Sequence, residues 1–150
     1  MKTRIYNEGQ LIKERLAEIS DYIYNNPELG NEEYKAVEAL TTFLKEHNFQ
    51  VECPIADMDT AFKATFDSGK PGMTIGYLCE YDALPKIGHG CGHNMIGVMS
   101  SGAAVALSKV LDEIGGKIIV YGTPAEETNG GKVILAEAGV FDELDAVMIV

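Results

Sequence analysis

Apolar positions along the chain change period several times. Ile12, Leu16, Ile19 and Ile23 recur at helical spacing and define one buried face. Asn25-Asn26-Pro27 ends that helix. Asn31 is predicted as the N-cap of a second helix, with Glu32 and Glu33 in its first turn and Val37, Leu40 and Leu44 as its apolar stripe. Both helices are predicted to cover a core.

The period then shortens to two. Phe62, Ala64 and Phe66 alternate with Lys63, Thr65 and Asp67, as in a half-buried strand. Ser68-Gly69-Lys70-Pro71-Gly72 is turn chemistry, and Met73 to Cys79 reads as a second strand, so 60–79 is predicted to form a hairpin. A helix follows over about Met95–Leu111. Its small residues (Gly97, Ser100, Ser101, Gly102, Ala103, Ala104) suit close packing on a sheet, and Gly115-Gly116 breaks it. Ile118 to Tyr121 is a wholly apolar strand. A short helix is predicted over 131–138, stopped by Gly139, and Ala146 to Val150 forms another apolar strand. Apolar strands alternating with helices predict an α/β fold, a three-layer α/β/α sandwich on a largely parallel sheet with an N-terminal antiparallel hairpin. A chain ending inside an apolar strand predicts a truncated piece of a longer protein. No repeat or low-complexity tract is present.

Length and charge narrow the function. One hundred and fifty residues suit one domain, and 46% apolar residues can fill its core. A formal net charge of −11 excludes a phosphate-backbone binder, which needs clustered Lys and Arg. Cys53, Cys79 and Cys91 are odd in number, widely spaced and without a CxxC pair. With an N-terminus lacking an apolar signal core, they predict reduced thiols in the cytoplasm. The longest stretch without a charged residue, 87–108, carries His89, His93, Asn94 and serines, and so is not a membrane span.

Two segments carry candidate chemistry. In Gly88-His-Gly-Cys-Gly-His-Asn94, the dinucleotide fingerprint fails because His93 stands where the third glycine belongs. A phosphate loop, a haem attachment and a redox pair also lack required residues. Cys91 and His93, two apart in a loop, remain as a thiolate and an imidazole able to share a transition metal; a buried thiol beside a helix-start histidine is the plainer alternative. The second segment, Tyr121 to Gly131, places Glu126 and Glu127 after the apolar strand 118–121. If that strand runs parallel to 73–79, both clusters emerge at one sheet edge, where α/β proteins bind ligands. Paired carboxylates can then divide the work. One holds a metal, and the other takes a proton from water that the metal has acidified.

Four segments together resemble the amidohydrolase branch of the M20 metallopeptidases: Asn25–Glu33 (NNPELGNEE), Cys79–Pro85 (CEYDALP), GHGCGHN and Gly122–Glu127 (GTPAEE). The first differs from the family's HPELG by Asn26, and the third carries Asn94 where many members have Asp. The resemblance implies that Cys91, His93 and Glu127 are metal ligands, that Glu126 is the general base and that Asp82 orients the metal site. It implies two divalent transition ions per full-length subunit, Zn or Mn, and hydrolysis of an N-acyl amino acid, a dipeptide or an aminobenzoyl-glutamate-like amide. It leaves His89 supporting the metal ligands from behind, facing substrate, or structural, and Cys53, Cys79 and His47 structural. It further implies that residues 1–150 are the N-terminal portion of a catalytic domain. The other ligands, and the domain through which the protein forms a homo-oligomer, would lie elsewhere, leaving this chain inactive alone. Two rivals stand beside this reading: a non-enzymatic metal or small-molecule binding module, and a thiol hydrolase with Cys91 as nucleophile and His93 or His89 as base.

Overall fold

A computed structural model describes residues 1–149. Its elements are α1 (Lys2–Asn25), α2 (Tyr34–Glu46), β1 (Gln50–Glu52), β2 (Phe62–Asp67), β3 (Thr74–Cys79), α3 (His93–Ser108), α4 (Leu111–Ile114), β4 (Lys117–Gly122), α5 (Gly131–Glu137) and β5 (Ala146–Met148). The strands form one open sheet in the order β1-β2-β4-β3-β5. β3 runs parallel to β4 and β5, while β2 is antiparallel to β1 and β4.

The predicted hairpin over 60–79 is not what forms. β2 and β3 flank β4 instead of pairing with each other, and the antiparallel pair at the sheet's edge is β1 with β2. The 68–72 turn hydrogen-bonds to the turn that opens β4. Ser68 N donates to Gly116 O (3.1 Å), Gly116 N to Lys70 O (3.0 Å) and Lys117 N to Met73 O (2.9 Å). Gly116 has φ +93°, and a Cβ there would lie 2.2 Å from Met73 O, so two glycine turns stack where a side chain would not fit. The apolar run Ile118–Tyr121 of β4 needs a covered place on both faces, and the centre of the sheet provides it.

One sheet face carries Phe62, Ala64, Cys79, Ile118 and Val120, which pack with Leu40, Phe43 and Leu44 of α2 and Val98, Ala104 and Val105 of α3. α3 lies between the sheet and α1. Its Gly97 comes so close to the end of β3 that a Cβ would sit 2.6 Å from Glu80 O, and its Gly102 faces Leu16 of α1. The small residues predicted to meet a sheet therefore also serve a helix contact. The other face exposes Ile119 and Tyr121 to the segment after α5, where Phe141 meets Tyr121 edge-on at 5.1 Å and Leu144 fills the space over Gly76. β5 is an exposed edge, not a buried strand, and Val150 lies outside the described residues.

The second helix begins differently from the expectation. Asn31 is not its N-cap but a left-handed turn residue, φ 70°, and α2 starts three residues later. Glu33 is wholly buried rather than solvated in a first turn. The free amides of α2 are met from further upstream, where the Glu28 carboxylate accepts from Lys35 N (2.8 Å) and Ala36 N (3.1 Å). An acidic group at a helix N-terminus also suits the helix dipole. Glu28→Ala should remove this cap and cost about 1 kcal/mol in urea unfolding, in the range of ordinary N-cap losses. A loss below the error of the measurement would show that water replaces the carboxylate there.

Candidate metal centre

Parallel pairing of β3 with β4 fixes the site's location. Cys79 and Gly122 are register partners at the two strand ends, so the 80–92 and 123–130 loops leave the same sheet edge. The expected convergence of the two motifs is therefore built by the strand register. Thr123 N continues the ladder to Cys79 O at 2.9 Å.

Cys91, His93 and Glu127 come together there, each offering one donor atom with all three atoms within 4.8 Å of one another. His93 opens α3, where Gly92, at φ 81°, takes the left-handed turn that admits it. His93 is buried, and its Nδ1 donates to Asp82 Oδ1 at 2.8 Å. That bond fixes the tautomer with Nε2 unprotonated and aimed at the carboxylates. Nε2 lies 4.0 Å from both Glu126 Oε2 and Glu127 Oε1. A thiol sulfur, an imidazole nitrogen held from behind and a carboxylate form a donor set suited to a borderline divalent metal.

Asp82 has no exposed surface, and its second oxygen, Oδ2, accepts from Glu127 N at 3.0 Å. One carboxylate thus fixes two of the three donor residues. Burial pushes its pKa up, but the His93 and Glu127 hydrogen bonds outweigh this and hold it below the ordinary carboxylate value. The same bond raises His93 above the usual histidine value against its own burial. Cys91 is pushed up by burial and, in part, by the Glu127 carboxylate beside it. A thiol raised in pKa is the opposite of an activated nucleophile, and a cation placed among these groups would reverse that shift.

The other expected residues divide. His89 is buried with neither ring nitrogen hydrogen-bonded among the described residues, and burial lowers its pKa. It lies outside the three-donor cluster and lines a cleft of about 430 Å³ with Tyr24, Leu84 and Ile87. Asn94 turns away from the site and donates to Ser20 Oγ of α1 at 2.9 Å, so its departure from Asp leaves the donor set untouched. Cys79 is a buried core thiol, its pKa pushed up to about 12 by burial, and it donates to Gly97 O. Glu80 was missed by sequence reasoning. It is buried, pairs with Lys132 at the start of α5 and brings Oε2 to 3.4 Å from His93 Nε2. Only its place beside Asp82 at the end of a parallel strand could have flagged it.

No family model matches the chain. Similarity to individual proteins is extensive. The chain is 41% identical to mouse Xaa-Arg dipeptidase over 91% of its own length and 34% of that protein's. It is 36% identical to one of the subunits of Escherichia coli p-aminobenzoyl-glutamate hydrolase, again over 91% of the chain and 32% of the relative. A proposed aminohydrolase from methicillin-resistant Staphylococcus aureus superposes with a TM-score of 0.86 at 30% identity, covering 98% of this chain and 41% of that one. A Bacillus subtilis dinuclear metal-binding peptidase of the M20 family shares the fold, with a TM-score of 0.81 at 24% identity over 92% of this chain and 42% of that one. The chain thus spans about a third of the length of the curated relatives it matches. Four motifs in order, these relatives and this shared fold make the chain similar to one part of the M20 metallopeptidases and their amidohydrolase branch.

Proposed function

We propose that the protein is a metal-dependent amidohydrolase that cleaves the amide of a dipeptide, an N-acyl amino acid or an aminobenzoyl-glutamate-like compound. The observation that carries this is the meeting of Cys91, His93 and Glu127 at one sheet edge, with Glu126 next to them. Relatives named for a dipeptidase, an aminobenzoyl-glutamate hydrolase and an N-acetyl-L-cysteine deacetylase agree in hydrolysing small amides. No helix among the described residues is long and apolar enough to cross a membrane. The free Cys53, Cys79 and Cys91 support a reducing, cytoplasmic setting.

Cys91, His93 and Glu127 would hold the metal, and donors beyond this chain would complete the two-metal set, since the chain spans only part of its relatives. The sulfur donor favours a softer borderline ion such as Zn, with Mn the alternative. When bound, the metal supplies Lewis acidity that brings a water's pKa towards neutrality and polarises the amide carbonyl. Glu126 is the freer of the two glutamates, 39% exposed in its side chain, with its oxygen 4.0 Å from His93 Nε2. It takes the proton from the attacking water and delivers it to the departing amine. Asp82 acts through His93, keeping Nε2 available.

In the metal-loaded full-length protein, Glu126→Gln should keep its metal and lose about 10²- to 10⁴-fold in kcat, the usual contribution of a general base. Metal analysis with turnover of an N-acyl amino acid or a dipeptide checks this, and metal loss with retained turnover would reverse the two glutamates' roles. Asp82→Asn should weaken metal binding about 10- to 100-fold in a chelator competition, since it removes the partner that orients His93. Unchanged affinity would reduce Asp82 to a packing role.

A further inference from the structure

The segment Pro27–Glu33, between α1 and α2, contributes no metal donor, yet it touches both loops of the site. Glu28 O accepts from Ala83 N at 2.8 Å, beside Asp82. Gly30 lies against the glutamate loop so closely that a Cβ would be 2.9 Å from Ala125 Cα and 2.5 Å from Thr128 Oγ1. Glu33, wholly buried, aims its carboxylate at the same loop. Oε1 accepts from Ala125 N at 2.8 Å, and Oε2 accepts from Thr60 Oγ1 at 2.7 Å.

Ala125 is the residue that needs holding. It has φ 59°, a left-handed conformation uncommon for a residue with a Cβ, and no exposed surface. Such a conformation persists only where its surroundings impose it. Its carbonyl is taken by Gly130 N at 2.9 Å, closing the loop on itself. Its amide is taken by Glu33. The next two residues are Glu126 and Glu127, whose carboxylates lie equally far, 4.0 Å, from His93 Nε2. The reversal at Ala125 sets where both are presented.

We infer that Glu33 is a positioning residue for the glutamate pair: its buried carboxylate fixes the left-handed turn at Ala125 and so places Glu126 as the general base. The inference rests on the amidohydrolase reading for its catalytic part, while its structural part stands on the turn alone. It assigns a purpose to the NNPELGNEE segment, which would otherwise be a connector between two covering helices. Glu33→Gln can still accept from Ala125 N while its amide donates to Thr60 Oγ1. Glu33→Ala leaves the Ala125 amide unpartnered, and Glu33→Asp, one methylene shorter, withdraws the carboxylate while keeping a buried acid.

The test compares these three variants with Leu44→Ala, a core truncation elsewhere in α2, in the metal-loaded full-length protein. Amide hydrogen exchange across residues 124–128 is read first. It should rise in Glu33→Ala and Glu33→Asp and stay at the parent level in Glu33→Gln and Leu44→Ala. Turnover is read second. kcat should fall about 10²-fold in the Ala and Asp variants, as for a small displacement of a catalytic group, with metal affinity weakened too because Glu127 sits on the same turn, and with Gln restoring most of both. If Glu33→Ala does not fold, Glu33→Asp carries the comparison. Exchange that rises equally in Leu44→Ala, or a Gln variant as impaired as Ala, overturns the inference and leaves Glu33 a part of the core. Raised local exchange in a protein that hydrolyses no amide would uphold the positioning and refute the amidohydrolase reading instead.

Discussion

The site depends on one buried carboxylate with two obligations. Asp82 accepts a proton-bearing nitrogen from His93 and a backbone amide from Glu127, and it has no water to fall back on. A buried acid is costly unless its oxygens are met, and each neighbour gains a fixed position in meeting them. His93 comes from the start of α3 and Glu127 from the loop after β4, so Asp82, just past the end of β3, ties three elements together at the candidate metal centre. The opposed pKa directions of Asp82 and His93 have one cause, a hydrogen bond that favours the ionised carboxylate and makes the imidazole more basic.

That tie works only because β3 and β4 are parallel neighbours. An antiparallel neighbour to β3 would send the glutamate loop to the far end of the sheet. The parallel pairing requires a crossover, which α3 provides, and α3 begins with a metal-ligand candidate. The small residues of α3 let it lie close both to the end of β3 and to α1. The crossover helix is thus also the structural back of the site. Charge is arranged in the same way. Lys132, from the helix that follows the glutamate loop, neutralises buried Glu80 at the edge of the donor cluster, in a chain whose overall balance is strongly acidic.

The sequence made some of this legible and hid the rest for physical reasons. The helices, the apolar β4 and the two donor motifs were readable because each carries a local pattern: a helical stripe, an unbroken apolar run, or ligand types at close spacing. The parallel convergence of Cys79 and Gly122 followed from the α/β alternation and is met in the register. The hairpin over 60–79 failed because turn residues report only that the chain reverses, not which strand fills the space beside it. The central partner of β2 lies far along the chain, beyond β3 and α3, and nothing local encodes that. Asn31 has the right residue type for a helix cap, but Asn is equally suited to the left-handed turn it forms. The true cap, Glu28, sits outside the window in which caps are sought.

Glu33 shows why a buried acid is the least legible residue of all. On a sequence it is the second of two glutamates before a helix, and Glu32 beside it is indeed exposed. What distinguishes Glu33 is the company it meets only after folding, a threonine from the 53–61 loop and an amide from the 123–130 loop. Burial lifts its pKa above the ordinary value, although its hydrogen bonds oppose this. A folded-state value above the unfolded one means that folding stability falls as pH rises from the ordinary carboxylate range through the raised value. A buried acid that holds a left-handed alanine beside the glutamate pair does more than fill core volume. An apolar side chain would fill that volume without the desolvation penalty, but it could not accept the Ala125 amide.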